Sequence, residues 1–214
     1  MRYNPAHASD DPALVRELVT EHPWATLVST GRSGLVASHY PVLLDEGDDG
    51  IVLLTHVGRP DEKLHAFGAR EVLVVIQGFN GYISPSWYAA GATRAPTWNF
   101  TAAHLWGVPE VLTPEENLDV LSRLVAHFER PVKEPVLLDR EWAAPLARGT
   151  VGLRIRIRRF ELKVKLSQDK DAETVDRVIS RLLEDGPYAH AALAANMVRA
   201  RDRGIGYGTA SGRA

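Results

Sequence analysis

Residues 24–57 read WATLVSTGRSGLVASHYPVLLDEGDDGIVLLTHV. Three runs of β-formers, WATLVST, LVASHYPVLL and IVLLTHV, are cut by GRSG and DEGDDG, whose Gly and Asp residues accept the backbone angles of tight turns. The stretch predicts a β-meander. Because no regular helices separate the strands, it argues against a doubly wound α/β domain and for an α+β architecture built on an antiparallel sheet.

Working outward, PDEKLHAFGA predicts a short helix, EVLVVIQ a strand, GFNG a turn into GYISPSWY, and TWNFTAAHLWGVPEVL a further extended segment. VGLRIRIRRFELKVKL, residues 151–166, alternates apolar and basic residues with the period of a half-buried strand, and the barrel is expected to close there. Towards the N-terminus, Asp10 and Asp11 precede Pro12, and Leu14, Val15, Leu18 and Val19 share one face of a short helix that ends before Pro23. Thr113, Pro114 and Glu116 form a capping box that opens a helix with Leu118, Leu121, Leu124, Val125 and Phe128 on one face. DAETVDRVISRLLEDG and YAHAALAANMVRARDR predict two terminal helices. The expected organisation is a barrel domain over residues 1–166, a helical extension over 167–203 and a disordered tail over 204–214.

Of the 214 residues, 45% are hydrophobic and 24% charged, the balance of a globular protein. There is no cysteine, which removes disulfides, thiolate metal sites and a cysteine nucleophile, so redox chemistry would need a bound cofactor. Eight histidines are scattered without a compact ligand spacing, and no metal site is expected. The N-terminus lacks the apolar core of a signal peptide and no run approaches a membrane span, so a cytoplasmic protein is expected. A net charge of −2 gives no general attraction for nucleic acid. GxGxxG, GxxxxGK[ST] and GxSxG are all missing, which leaves the usual dinucleotide, ATP and serine-hydrolase readings without support.

THVGRPDEKLH places Thr55, His56, Arg59 and Lys63 where a strand runs into a helix, equipment suited to a phosphate dianion or, equally, to a solvated helix start. Ser38 and His39 stand in the adjacent strand, as ligand contacts or as a hydrogen-bonded strand pair. Trp87, Tyr88, Trp98, Asn99 and Phe100 crowd a proline-interrupted region that could wall a planar ligand or cover a core or dimer seam. Arg154, Arg156 and Arg158 share one strand face, expected to be solvated, with anion or DNA binding as the alternative.

In order along the chain, YNPAH, SHYP, HVGR, GYISPSWY, PTWNF and KVKLSQDK resemble the motifs of the PaiB-type FMN-binding proteins over residues 1 to 184. That family belongs to the pyridoxine-phosphate-oxidase-like split β-barrels, typically homodimers with FMN in the seam, and several members are described as negative transcriptional regulators. The resemblance implies a split barrel with peripheral and C-terminal helices, FMN as cofactor, and flavin contacts from Ser38, His39, His56, Arg59, Trp98, Asn99, Lys165, Ser167 and Gln168. The HVGR region would serve phosphate and ribityl, with Trp98, Asn99 and the KLSQ loop bordering the ring. Trp87, Tyr88 and Asp169 are expected to face a substrate, while His39, Tyr88, His104 and Asp169 are the available proton donors or acceptors.

The chain departs from the family where HVARANP becomes HVGRPDE, putting Asp61 and Glu62 near the expected phosphate. It departs again where the lysine of WYxSK becomes Gly91 and where SQN becomes Ser167, Gln168 and Asp169. Three functions follow as expectations: a flavin-dependent oxidoreductase on a small molecule, an FMN-responsive regulator using an arginine run or the terminal helices on DNA, or a flavin-free binder of another small ligand.

Overall fold

The first two β runs pair as a hairpin, β2 (Trp24–Gly31) with β3 (Gly34–Pro41), setting Ala25 opposite Tyr40 and Leu27 opposite Ser38. Alternation buries Ala25, Leu27 and Ser29 and leaves their neighbours more exposed. The third run gives β5 (Val52–Gly58), which pairs with the two-residue β4 (Leu43–Leu44) on one side and with β8 (Thr150–Lys165) on the other. With β6 (Val72–Ile83) and β7 (Thr97–Val111), the order is β3-β2-β6-β7-β8-β5-β4, and β1 (Ala8–Ser9) pairs with β8. The structure, a computed structural model, describes residues 1–31, 34–47, 50–91 and 95–205.

This order closes a barrel. The strands at its two ends, β3 and β4, are joined by Val42 alone, whose N–H donates to Pro23 O at 2.8 Å. Laid flat, seven strands would hold those edges about 29 Å apart, six spacings of about 4.8 Å, a gap one residue cannot bridge. The sheet therefore curls on itself. The meander expectation is corrected in its connectivity: local hairpins form as read, but β3 and β5 are not ladder neighbours.

Two compact units share the long strands. One holds Met1–Asp10, Gln77–Ala103 and the chain from Glu161, and the other holds Asp11–Ile76 with His104–Phe160. In the second, α1 (Pro12–Glu21) opens on Asp11, which accepts from Ala13 N–H at 2.8 Å, and buries Val15, Leu18 and Val19. The unit also carries α2 (Arg59–His65), α3 (Pro114–Glu129) and α4 (Arg140–Ala147). The capping box of Thr113 and Glu116 is formed in both directions. The buried face of α3, however, is Asn117, Val120 and Leu124, while Phe128 is exposed. A buried polar residue decides this: the Asn117 amide donates to Ala147 O at 3.3 Å and Thr150 Oγ1 at 3.0 Å, so its burial is compensated. Helix α4 was not expected, since Pro145 interrupts its pattern and Trp142 and Leu146 remain exposed.

In the first unit, α5 (Ala172–Leu183) and α6 (Ala191–Asp202) pack through Val175, Val178, Leu182, Leu193 and Met197. Each such side chain taken out of water contributes about 1.5 to 3 kcal/mol. The turn expected at GFNG does not form, because β6 runs unbroken through it. Gly81 serves a close approach instead: a Cβ there would lie 2.9 Å from Leu193 Cδ2. Of the tail expected to be disordered, residues 206–214 lie outside the described residues. Among the described residues no helix is long and apolar enough to cross a membrane.

Candidate functional site

In the second unit, β3, β5 and the start of α2 gather the residues expected around a phosphate. Thr55 is fully buried and its hydroxyl donates to Pro41 O at 2.7 Å, so it braces β5 against β3 rather than offering a ligand a hydroxyl. His56 is half-buried, its Nδ1 has no partner, and burial lowers the imidazole below its usual value. His39 is exposed, stacks on Trp24 with ring centroids 6.4 Å apart and shares a 3.0 Å hydrogen bond with Thr26. Lys63 is exposed on α2.

Arg59 is tethered. Its backbone N–H donates to Gly149 O at 3.0 Å and its Nε to Arg148 O at 2.6 Å, while Glu62 stands 3.6 Å from the guanidinium. The side chain lines a cavity of about 510 Å³ together with Arg140, Arg148, Asn117 and the apolar Val111, Leu112 and Leu118. Arg140 is shared with Asp119 at 2.5 Å, and Arg148 is exposed. Neither Arg140 nor Arg148 was singled out in the sequence, because both depend on the unexpected helix α4. The two carboxylates that seemed to threaten an anion site are accounted for: Glu62 pairs with Arg59 and Asp61 accepts from the Tyr40 hydroxyl.

In the first unit the residues expected at the ring behave differently. Asn99, fully buried, donates through Nδ2 to Ser167 Oγ at 2.9 Å and to Met197 Sδ at 3.5 Å, and accepts from the same serine at 3.1 Å. Gln168 donates to Val164 O at 2.5 Å and accepts from Leu166 N–H at 2.6 Å. Ser167 itself adopts φ 65, a left-handed backbone that a non-glycine residue keeps only when its surroundings hold it. These three residues form a clasp that shapes the KLSQ turn, with their hydrogen bonds spent inside the protein. Lys165 donates to Thr97 Oγ1 and to Trp98 O at 2.6 Å, and burial lowers its pKa, opposed by Asp169.

Trp98 is 54% exposed and meets Tyr82 edge-on at 6.4 Å; Tyr82 packs on Tyr188 at 4.9 Å, which in turn meets Trp87 at 6.5 Å. An aromatic edge of this kind suits a planar ligand. Tyr88, by contrast, is buried and donates to Ala95 O at 3.1 Å, so it does not face a substrate. Asp169 is exposed and pairs with Lys170 at 3.1 Å. Gly91 has φ +86, which explains glycine where the resembled family has lysine. His7, from the YNPAH stretch, is buried with both ring nitrogens unpartnered, and burial lowers its pKa against Asp169.

The basic strand face is also corrected. Arg154 is not solvated but stands among Asp45 at 3.8 Å, Glu110 at 3.4 Å and Glu116 at 3.6 Å, whereas Arg156 and Arg158 are exposed.

Within the second unit, Arg59, Arg140 and Arg148 line one cavity; within the first, Trp98 presents an exposed aromatic edge. The closed antiparallel barrel is that of the flavin-binding split-barrel class. Residues 1–159 match the family described as "Putative FMN-binding domain", and the chain belongs to that family, with FMN as its cofactor. It is 31% identical over 176 residues, 80% of this chain and 84% of the relative, to protease synthase and sporulation protein PAI 2 of Bacillus subtilis. Among solved structures it is similar to the FAD and heme binding protein of Mycobacterium smegmatis, at TM-score 0.59 and 19% identity, covering 85% of this chain and 82% of that one. The flavocytochrome Anf3 of Azotobacter vinelandii matches at TM-score 0.56 and 15% identity, covering 88% and 74%. At these identities the structures carry the fold alone.

Proposed function

We propose that this protein is an FMN-dependent oxidoreductase acting on a small molecule, with the phosphate end of the cofactor held at the cavity of Arg59, Arg140 and Arg148. The observation that carries the reading is that three arginines, at the start of α2 and at both ends of α4, line one cavity of about 510 Å³. Planar, permanently charged guanidinium suits a phosphate dianion, and apolar Leu112, Leu118 and Val151 exclude water beside it. When bound, FMN supplies the electron transfer that this cysteine-free chain does not. The protein's own part is to orient: Ser38 and His39 are offered to the ribityl, and His56, whose burial favours the neutral imidazole, can hold a proton. A homodimer with the cofactor shared between copies, working in the cytoplasm, completes the proposal.

The regulator reading has less support. Its basic elements are largely neutralised: Arg154 by three carboxylates, Arg177 by Glu173, Arg181 by Glu184 and Arg201 by Asp176. The deciding experiment is the absorption spectrum of the purified protein, followed by anaerobic reoxidation of its reduced flavin against a metabolite panel. Flavin bands, release of FMN on denaturation and reoxidation by one compound class are expected. A protein that retards specific DNA and reoxidises with nothing on the panel would be a regulator, and a colourless one that ignores added FMN would bind something else. Light scattering at micromolar concentration should report a dimer.

A further inference from the structure

The second unit holds a further cavity, of about 320 Å³, at the seam where the barrel closes. Val42, the single residue between β3 and β4, lines it together with Val19 of α1 and Leu43 of β4, and all three are buried. The last turn of α3 supplies Ala126 and His127, and Arg130 follows at its end. None of these residues lines the cavity of Arg59, Arg140 and Arg148. Helix α3 reaches both: Leu118 lines the larger cavity and His127 the smaller, and a rise of about 1.5 Å per residue sets them about 13 Å apart along its axis. The two cavities are separate sites on one helix.

The polar groups around the smaller cavity are not equally available. Arg123 is committed to the fold: its guanidinium donates to Asp45 at 3.0 Å and to Leu44 O at 3.3 Å, which braces β4 against α3. The Thr20 hydroxyl donates to Arg16 O at 2.9 Å within α1. Arg130 and Glu46 also line the cavity, and among the described residues neither side chain has an ion-pair or hydrogen-bond partner. Both are exposed, so their rotamers are free to close on a small ligand. The cavity thus joins a buried apolar surface to one unpaired cation and one unpaired anion.

We propose that this cavity is a second small-molecule site whose ligand is an amino-acid-type zwitterion with an apolar side chain. Arg130 takes the carboxylate, Glu46 the ammonium, and Val19, Val42 and Leu43 receive the side chain. Charge decides the class. A simple carboxylate would pair with Arg130 but be repelled by Glu46, and a simple amine would pair with Glu46 but be repelled by Arg130 and Arg123. A ligand with both poles pairs each of them, and a guanidinium takes a carboxylate through two parallel hydrogen bonds. A volume of about 320 Å³ lies at the lower end of small-ligand sites, which suits a single amino acid rather than a peptide or a nucleotide. Binding here is independent of the flavin.

Nitrogen-15-labelled protein, as purified, is titrated by NMR with L-leucine at millimolar concentration, and with isocaproate and isoamylamine, which keep the branched side chain and one pole each. Leucine should shift the backbone amides of residues 42–46 and 126–130. Each one-pole analogue should bind about fivefold more weakly, the value of an exposed ion pair. Arg130→Gln and Glu46→Gln should each weaken leucine by a similar factor and leave the urea midpoint unchanged, since neither side chain is bonded within the fold. No amide shift with leucine, shifts confined to the cavity of Arg59 and Arg140, or full leucine affinity in both variants would overturn the site. Isocaproate or isoamylamine binding as tightly as leucine would overturn the zwitterion.

Discussion

The clasp of Asn99, Ser167 and Gln168 and the cavity of Arg59, Arg140 and Arg148 both answer to the expectation of flavin contacts, yet they differ in what their polar groups have left to give. In the clasp the Asn99 and Gln168 amides and the Ser167 hydroxyl all bond to other protein groups, and the residues are at most 8% exposed. Around the cavity Arg59 pairs with Glu62 and Arg140 with Asp119, while Arg148 is exposed. A polar motif can thus be needed for the shape of a site without touching what the site holds. Residues with spent hydrogen bonds should report on stability, and residues with spare ones on affinity.

The largest effect is expected at the clasp. Asn99→Ala strands the Ser167 hydroxyl and loosens a turn held at φ 65, and should cost about 2 to 4 kcal/mol of stability in urea denaturation. FMN affinity of the remaining folded protein should change little; an affinity loss without a stability loss would make Asn99 a ligand contact after all.

At the cavity the pattern should reverse. Arg148→Ala should weaken FMN by about 1 to 2 kcal/mol in fluorescence titration, the value of a charge-assisted contact discounted for its exposure, and leave the urea midpoint nearly unchanged. Arg59→Ala should lower affinity similarly and also lower stability, because its bond to Arg148 O is lost. Arg156→Ala, on an exposed strand position, should do neither. Equal FMN affinities in all three variants would remove the phosphate from this cavity.

A smaller cost, about 1 to 2 kcal/mol, is expected from Gly91→Lys, since φ +86 is strained for any residue with a Cβ. Restoring the lysine of the resembled family should therefore destabilise the loop rather than improve FMN binding. Tighter FMN binding in this variant would show that a charge, not a turn, is what the position lacks.

The smallest effect is expected from pH. Burial holds His7, His56 and His65 below the usual imidazole value of 6.5, so the unfolded chain takes up their protons first as pH falls. The stability tied to their neutral forms is fully present above pH 6.5 and is lost as pH falls through the lower folded values. Urea midpoints should fall between pH 7.5 and pH 5.5, and His65→Gln should flatten that fall; a midpoint independent of pH would mean these histidines are not buried neutral.

Read by itself, the sequence determined the elements whose causes are local. The hairpin of β2 and β3, the Asp11 and Thr113 caps, the two terminal helices and the long alternating β8 follow from side-chain period, turn residues and capping geometry within a few positions. The resemblance to FMN-binding proteins was likewise carried by short motifs, and the family match bears it out. Only the tertiary structure decided what depends on distant partners. Barrel closure needs β3 and β4 at opposite ends of one strand order, the straight run through Gly81 needs Leu193 against it, and the burial of Asn117 needs Ala147 and Thr150. The same holds for the site. Whether Asn99 faces a ligand or Ser167, whether Asp61 repels a phosphate or receives a phenol, and whether Arg148 meets Arg59 are questions of which hydrogen bonds are already spent, and residues far apart in the chain do the spending.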